Sequence, residues 1–386
     1  MTQDTDSGVP TVTADALRAR IERGEDVFVV DARNVDDYEE WRIDGPTVDS
    51  VNIPYFTFLD DDLPRGVDAL PDDRRLTVVC AKGGASELVV EKLAAAGYDA
   101  EHLDGGMTEW ARVYEANDVD TGGDVLVRQY HRPSSGCLAY LVASDGEAAV
   151  VDPLRAFTER YVADARDLGV SIEYAVDTHI HADHVSGVRD LAARTGATVV
   201  LPERADARGV DYDDAYETVA DGDSLAVGTA ALDVLAAPGH TSGMTAYRVD
   251  GVLFTGDSLF LDSVARPDLE DDDPDAVAAA ARTLHGTLRS FLDRADDTLV
   301  APAHVGGDTE PAADGTYTRR LGDLAASLDA LSMSEDAFVD FVLADVTPRP
   351  ANYAAIIDIN LGARDASAED AFELELGPNN CAVSTE

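Results

Sequence analysis

Apolar residues along this chain come in short runs, and the rhythm of those runs changes partway. Ala14, Leu17 and Ile21 fall on one helical face, and residues 27–30 then read as a buried strand ending at Asp31. Further strands are predicted at 50–53, 76–79 and 100–103, with helices at 85–95 and 107–115. Strands alternating with helices argue for a small parallel α/β sheet. The polar, acidic stretch 116–123 ends in Gly122-Gly123 and reads as a linker. Beyond it strands come first (125–129, 138–142, 148–151), then a helix at 157–168. After that, the apolar runs 172–176, 232–237, 252–255 and 298–302 each give way to a polar turn. An acidic run, Glu270 to Asp273, opens an Ala-rich stretch and reads as a solvated helix start. The predicted organisation is a tail over 1–12, a first domain over 13–116, a linker over 117–123 and a second domain over 124–386.

Composition narrows the setting. The 386 residues are 45% hydrophobic, enough for two cores. The formal charge is −47, and only two lysines, Lys82 and Lys92, occur. Such a coat suits a salt-rich, halophilic cytoplasm, where a Debye length of ~3 Å at molar salt screens self-repulsion. Nucleic acid is disfavoured by sign. Three cysteines, Cys80, Cys137 and Cys381, are odd in number and widely spaced, which fits a reducing, cytoplasmic protein rather than a disulfide framework. No apolar run approaches the ~18 residues of a membrane span.

The four late strands each end in a metal-ligand type. Thr178-His179-Ile180-His181-Ala182-Asp183-His184 follows the first, Gly239-His240-Thr241 the second, Gly256-Asp257 the third and Ala303-His304 the fourth. Imidazole and carboxylate bind zinc, iron or manganese, and strand-end loops can bring several to one point. The expectation is a metal site. In the first domain, Cys80 ends a strand and precedes Ala81-Lys82-Gly83-Gly84-Ala85-Ser86. Backbone N–H groups of Gly83, Gly84 and Ser86 before a helix favour an anion on the sulfur, and Lys82 adds positive charge. Cys137 reads as a small core residue.

Val29-Val30-Asp31-Ala32-Arg33, Tyr38, Ile43-Asp44-Gly45, Asn52-Ile53-Pro54, the Cys80 loop, and Leu103-Asp104-Gly105-Gly106-Met107 with Trp110 resemble a rhodanese domain over about residues 10–115. The resemblance implies a sulfurtransferase that carries sulfane sulfur as a Cys80 persulfide. Ala85 stands where many such loops carry Arg, which weighs against thiosulfate as donor.

The His179-x-His181-x-Asp183-His184 motif with His240, Asp257 and His304 resembles the metallo-β-lactamase superfamily over about 124–386. The implied fold class is α/β, a small parallel-sheet rhodanese domain followed by an αββα sandwich. Within the superfamily the sequence is similar to persulfide dioxygenases, whose single Fe(II) corresponds to ligands His179, His240 and Asp257. Thr255, Arg266, Asp268, Asn352-Tyr353 and Asn360-Leu361-Gly362 support that branch, with Arg266 and Asp268 as candidate substrate-binding groups. His181, Asp183, His184 and His304 then support the ligands or hold a second metal. The implied reaction takes a low-molecular-weight thiol persulfide and O₂ to thiol and sulfite, coupled to sulfur transfer through Cys80, with no nucleic-acid or membrane partner and a homo-oligomer plausible. Two alternatives stay open. One is a zinc thioesterase resembling glyoxalase II, with two Zn(II) per chain; the other is a sulfur-storage or sensing module.

Overall fold

A computed structural model describes residues 8–60, 62–306, 309–344 and 349–377, so Cys381 lies outside the described residues. The chain divides into two compact units, one mainly before Tyr114 and one mainly after Glu115.

The first unit runs β1 (Thr11–Val12), α1 (Ala14–Glu22), β2 (Val27–Asp31), α2 (Val35–Glu40), β3 (Val48–Asn52), β4 (Leu76–Val79), α3 (Gly84–Ala95), β5 (Ala100–Leu103) and α4 (Gly106–Trp110). Its strands are ordered β1-β5-β4-β2-β3, all paired parallel. Parallel strands need covering on both faces, and two apolar clusters do this. Val30, Val78, Val89 and Leu93 fill one; Leu17, Ile21, Val29 and Trp110 fill the other. Thr13 caps α1 by accepting from the Ala16 N–H. Thr11–Val12, expected to lie in a tail, pairs with β5 instead, because Val12 is buried; one apolar residue is too short a signal to read as a strand.

The second unit holds two sheets. The first contains β6 (Glu115–Val119), β7 (Leu126–Arg132), β8 (Cys137–Ser144), β9 (Glu147–Val151), β10 (Ser171–Val176), β11 (Thr198–Pro202) and β12 (Tyr216–Val219). It carries α5 (Thr158–Leu168), α6 (Val188–Thr195) and α7 (Ala205–Arg208) in its connections. The second contains β13 (Ser224–Val227), β14 (Ala230–Ala236), β15 (Thr245–Val249), β16 (Val252–Gly256), β17 (Leu299–Pro302) and β18 (Arg319–Arg320), with α8 (Pro274–Leu292) between β16 and β17. Then follow α9 (Leu321–Ser327), α10 (Glu335–Ala344), α11 (Tyr353–Asn360) and α12 (Ala368–Leu374). Leu138, Tyr140, Val151 and Val176 from one sheet meet Leu232, Val234, Tyr247 and Phe254 from the other to make the central core. The outer face of the second sheet packs on Leu284, Leu288 and Phe291 of α8 and on α10.

Residues 107–115 were expected to be one helix followed by a linker. The helix stops at Trp110, and Glu115–Val119 pairs antiparallel with β7 as the edge of the first sheet. An edge strand is half solvated, so its polar sequence looked like a linker. The acidic run does open a helix, and Asp273 caps α8 by accepting from the N–H groups of Asp275 and Ala276.

Candidate metal centre

Strand ends at one edge of the sandwich gather the donors. β10 leads to His179, β14 to His240, β16 to Asp257 and β17 to His304. The second loop turns through Gly239 at φ 142°, where a Cβ would stand 2.5 Å from the α8 backbone at Leu284. Only glycine lets the loop pass that close.

His179 Nε2, His240 Nε2 and Asp257 Oδ2 are buried, lie within 4.8 Å of one another, and have no hydrogen-bond partner among the described residues. Asp257 Oδ2 is 3.6 Å from His179 Nε2 and 3.5 Å from His240 Nε2. The far sides of these groups are occupied. His240 Nδ1 donates to the Arg266 carbonyl at 3.0 Å. The Thr178 hydroxyl donates to Asp152 Oδ2 at 3.0 Å, which leaves it to accept from His179 Nδ1 at 3.0 Å. Both rings therefore turn an Nε2 lone pair toward the carboxylate. Burial holds both imidazoles below the usual histidine range, His179 strongly. Burial would raise Asp257, but the neighbouring His304 outweighs it and the carboxyl lies well below its usual range. Two lone pairs facing a carboxylate oxygen repel one another in a dry site, and a cation relieves this. The donor set fits a divalent metal.

The other expected residues separate into two groups. Asp183 Oδ2 accepts from Cys137 Sγ (3.2 Å), His184 Nδ1 (3.1 Å) and His304 Nε2 (2.7 Å), while His304 Nδ1 donates to Asp257 Oδ1 (2.5 Å). Burial opposes charge on His184 and His304, but the carboxylates beside them overcome it and both stand well above the usual histidine range. Burial and Asp183 push the Cys137 thiol up; His304 and His184 outweigh them and leave it lowered. His181 belongs elsewhere. Its Nε2 pairs with Asp152 Oδ1 at 3.1 Å and lies 3.7 Å from Asp177 Oδ1.

Arg266 and Asp268 are turned on each other in a two-bond ion pair at 2.8 and 2.9 Å, with Arg266 buried. Thr255 donates to the Leu259 carbonyl, fixing the turn after β16.

Sequence reasoning passed over Asp152 and the polar contacts of Asn360 and Cys137. Asp152 directly follows β9 at φ 50°, accepts from the Thr178 N–H and hydroxyl, and braces the motif loop. A strand ending in Asp is the same signal as at Asp257. Asn360 donates to the His181 and His184 carbonyls and accepts from the Ser186 N–H.

In the first unit Cys80 is buried, and its Sγ accepts from the Gly83 N–H at 3.1 Å and approaches Ser86 Oγ at 3.4 Å. Ser86 donates to the Gly83 carbonyl; Lys82 is exposed. The cradle is tied to α4 through Met107 N to the Cys80 carbonyl. Among the expected rhodanese motif residues, Arg33 holds Asp31 and the Trp41 carbonyl, and Asn52 bonds the carbonyls of Asp31 and Arg33.

An αββα sandwich with donors on strand-end loops defines a class, and sequence comparison agrees: the model of the metallo-beta-lactamase superfamily matches residues 132–333, and the chain belongs to that superfamily. The rhodanese-like domain model matches residues 13–113. The chain is similar to the mitochondrial persulfide dioxygenase ETHE1 of Homo sapiens, with 30% identity over 189 residues, covering 48% of this chain and 70% of the relative. The crystal structure of ETHE1 from Myxococcus xanthus superposes with a TM-score of 0.54 at 26% identity, covering 61% of this chain and 98% of that one. Hydroxyacylglutathione hydrolase of Methylobacillus flagellatus is 38% identical over 123 residues, 31% of this chain and 46% of the relative. No helix among the described residues is long and apolar enough to cross a membrane.

Proposed function

We propose that this chain is an iron-dependent persulfide dioxygenase joined to a sulfur-transferring rhodanese domain. The supporting observation is the convergence of three orphaned, buried donors, two neutral imidazoles and one carboxylate, on a single point. The overall reaction is R–S–SH + O₂ + H₂O → R–SH + SO₃²⁻ + 2 H⁺. Iron held by His179, His240 and Asp257 would supply open positions for sulfur and O₂, and redox chemistry that zinc lacks. The protein's own groups set this up. Arg266 presents its carbonyl to His240 and so fixes the ring's tautomer. Thr178 does the same for His179, and His304 occupies Asp257 Oδ1 so that Oδ2 alone faces inward. The Arg266–Asp268 pair holds the segment that carries this carbonyl. In the rhodanese unit, the Gly83 N–H stabilises charge on the Cys80 sulfur while it carries sulfane sulfur.

O₂ uptake by Fe(II)-loaded protein in molar KCl, with a low-molecular-weight thiol persulfide, tests the reading. Uptake matched by sulfite and abolished in His179→Ala is expected; no uptake with iron bound refutes it. A zinc thioesterase is the second reading, favoured by the hydroxyacylglutathione hydrolase relative and by the grouping of Asp183, His184 and His304. Turnover of a thioester panel by the zinc-loaded form, without O₂ uptake by the iron form, would select it.

A further inference from the structure

Arg349 lies outside every donor loop, yet it holds the segment against which the His240 ring is set. We infer that Arg349 is a positioning residue for the metal centre: it pins residues 268–272 and, through the Arg266 carbonyl, fixes His240. The inference rests on the reading of His179, His240 and Asp257 as ligands, and names a residue that sets how tightly they bind.

The connection is an unbroken chain of hydrogen bonds. Arg349 Nη2 donates to the Asp268 carbonyl (2.6 Å), the Asp271 carbonyl (3.3 Å) and Asp272 Oδ1 (2.5 Å). Its Nη1 donates to the Tyr353 hydroxyl (3.2 Å), and the guanidinium carbon stands 5.2 Å from the centre of the Tyr353 ring. These contacts are unequal. Asp272 is 87% exposed, and an exposed ion pair contributes little, least of all in salt. The grip on the two carbonyls is what holds the segment. Asp268 then binds Arg266 through two bonds, and the Arg266 carbonyl accepts from His240 Nδ1 at 3.0 Å.

The local backbone explains why a clamp is needed. Between β16 and α8 the chain forms neither strand nor helix, so no ladder fixes the carbonyl that orients His240. Side chains must do it. The partner of a ligand imidazole's other nitrogen sets its tautomer, its orientation and its basicity, so a loose carbonyl weakens the metal site. A second observation gives Arg349 its leverage. Eleven positions on, at the end of α11, Asn360 donates to the carbonyls of His181 and His184. Residues 349–360 therefore reach both histidine loops, and one element braces the two against each other.

The full chain, labelled with ¹⁵N at histidine and stripped of metal, reads the ring directly. One ring N–H resonance should disappear in His240→Ala, which assigns it to His240. Arg349→Met keeps the apolar stem on Tyr353 and removes every donor; there the resonance is expected to broaden by exchange or vanish. Arg349→Lys retains one donor for the Asp268 carbonyl and should keep it. Arg155→Ala is the control for general loosening, because Arg155 ties the same C-terminal segment at the Ala366 carbonyl without touching 266–272. Its His240 resonance should persist. Cobalt(II) titration follows the equivalent that His179→Ala loses. That equivalent should bind about tenfold more weakly in Arg349→Met and about threefold more weakly in Arg349→Lys. The losses in Arg349→Met and Asp268→Asn should fail to multiply in the double variant, since both act through Arg266. An unchanged His240 resonance, or unchanged cobalt affinity, in Arg349→Met overturns the inference. If His179→Ala loses no cobalt, the ligand assignment is wrong, and the resonance alone decides whether Arg349 fixes His240.

Discussion

Asn360 closes the motif loop from the far end of the chain, and its replacement should separate loop support from metal ligation. The side chain is buried at the end of α11 and makes three hydrogen bonds: to the His181 and His184 carbonyls at 2.9 Å each, and from the Ser186 N–H at 2.8 Å. Leucine keeps much of the volume and removes all three. At a net value of about 1 kcal/mol per bond the loss is about 3 kcal/mol, and it grows if water cannot reach the freed groups. For a unit of this size that corresponds to roughly 6–12 °C in Tm. Calorimetry of the full chain reads the shift. Both tryptophans, Trp41 and Trp110, belong to the first unit, so tryptophan emission serves as an internal control that should not move. Asn360→Asp tests the chemistry further. It keeps the acceptor for Ser186 but sets a carboxylate oxygen against two carbonyls, so it should be at least as destabilising as leucine. The gain in Tm on adding metal should shrink in both variants, because a looser loop holds His179 less firmly and lowers affinity. A shift under about 3 °C in Asn360→Leu, or Asn360→Asp behaving as wild type, would refute the clamp.

Cys80→Ser should abolish sulfur transfer and leave O₂ uptake with a preformed persulfide largely intact; loss of both in folded protein argues against separable sites. Gly136→Ala should destabilise by about 2 kcal/mol or more, since a side chain there meets strain from positive φ and a clash with the Val305 carbonyl, and urea unfolding will measure it. Asp268 gives a pH signature. Burial would raise its carboxyl, but the Arg266 hydrogen bond and charge prevail and lower it. A depressed folded value contributes stability above the unfolded value of about 3.9, lost as pH falls through the folded value. Asp268→Asn should therefore lower stability at pH 6–7 and flatten the decline below about pH 4; an unchanged acid limb would contradict this. With a formal charge of −47, Tm should rise with KCl from low to molar concentration, and a flat profile would remove the case for salt adaptation.

What the sequence disclosed and what it hid divide along one physical line. His179, His240 and Asp257 were legible because each follows its own apolar strand, a signal contained within a few residues, and β10, β14 and β16 end where that signal says. The same local logic found Cys80, whose strand, glycine turn and helix are contiguous. It misread Glu115–Val119, because an edge strand facing solvent has the composition of a linker. It did not reach the contacts of Asn360, named on resemblance alone, because its partners His184 and His181 lie 176 and 179 positions away.

Cys137 is the sharpest case. Nothing near it distinguishes it from a core thiol, and its apolar neighbours Leu138 to Val142 argue for burial, which is correct. Its polar surroundings come from the bridge to His304, a pairing between the start of β8 and a loop that only the closed sandwich creates. Gly136 was the one local trace, since a glycine before a buried strand marks a close backbone approach. The bridge therefore makes the thiol's place beside Asp183 and His304 depend on the identity of a single backbone residue. If Gly136→Ala pushes the β8 start away from the His304 loop, labelling of Cys137 by a thiol reagent in the Cys80→Ser/Cys381→Ser background should speed up as stability falls, whereas a labelling rate unaffected by that substitution would mean the bridge does not position the thiol.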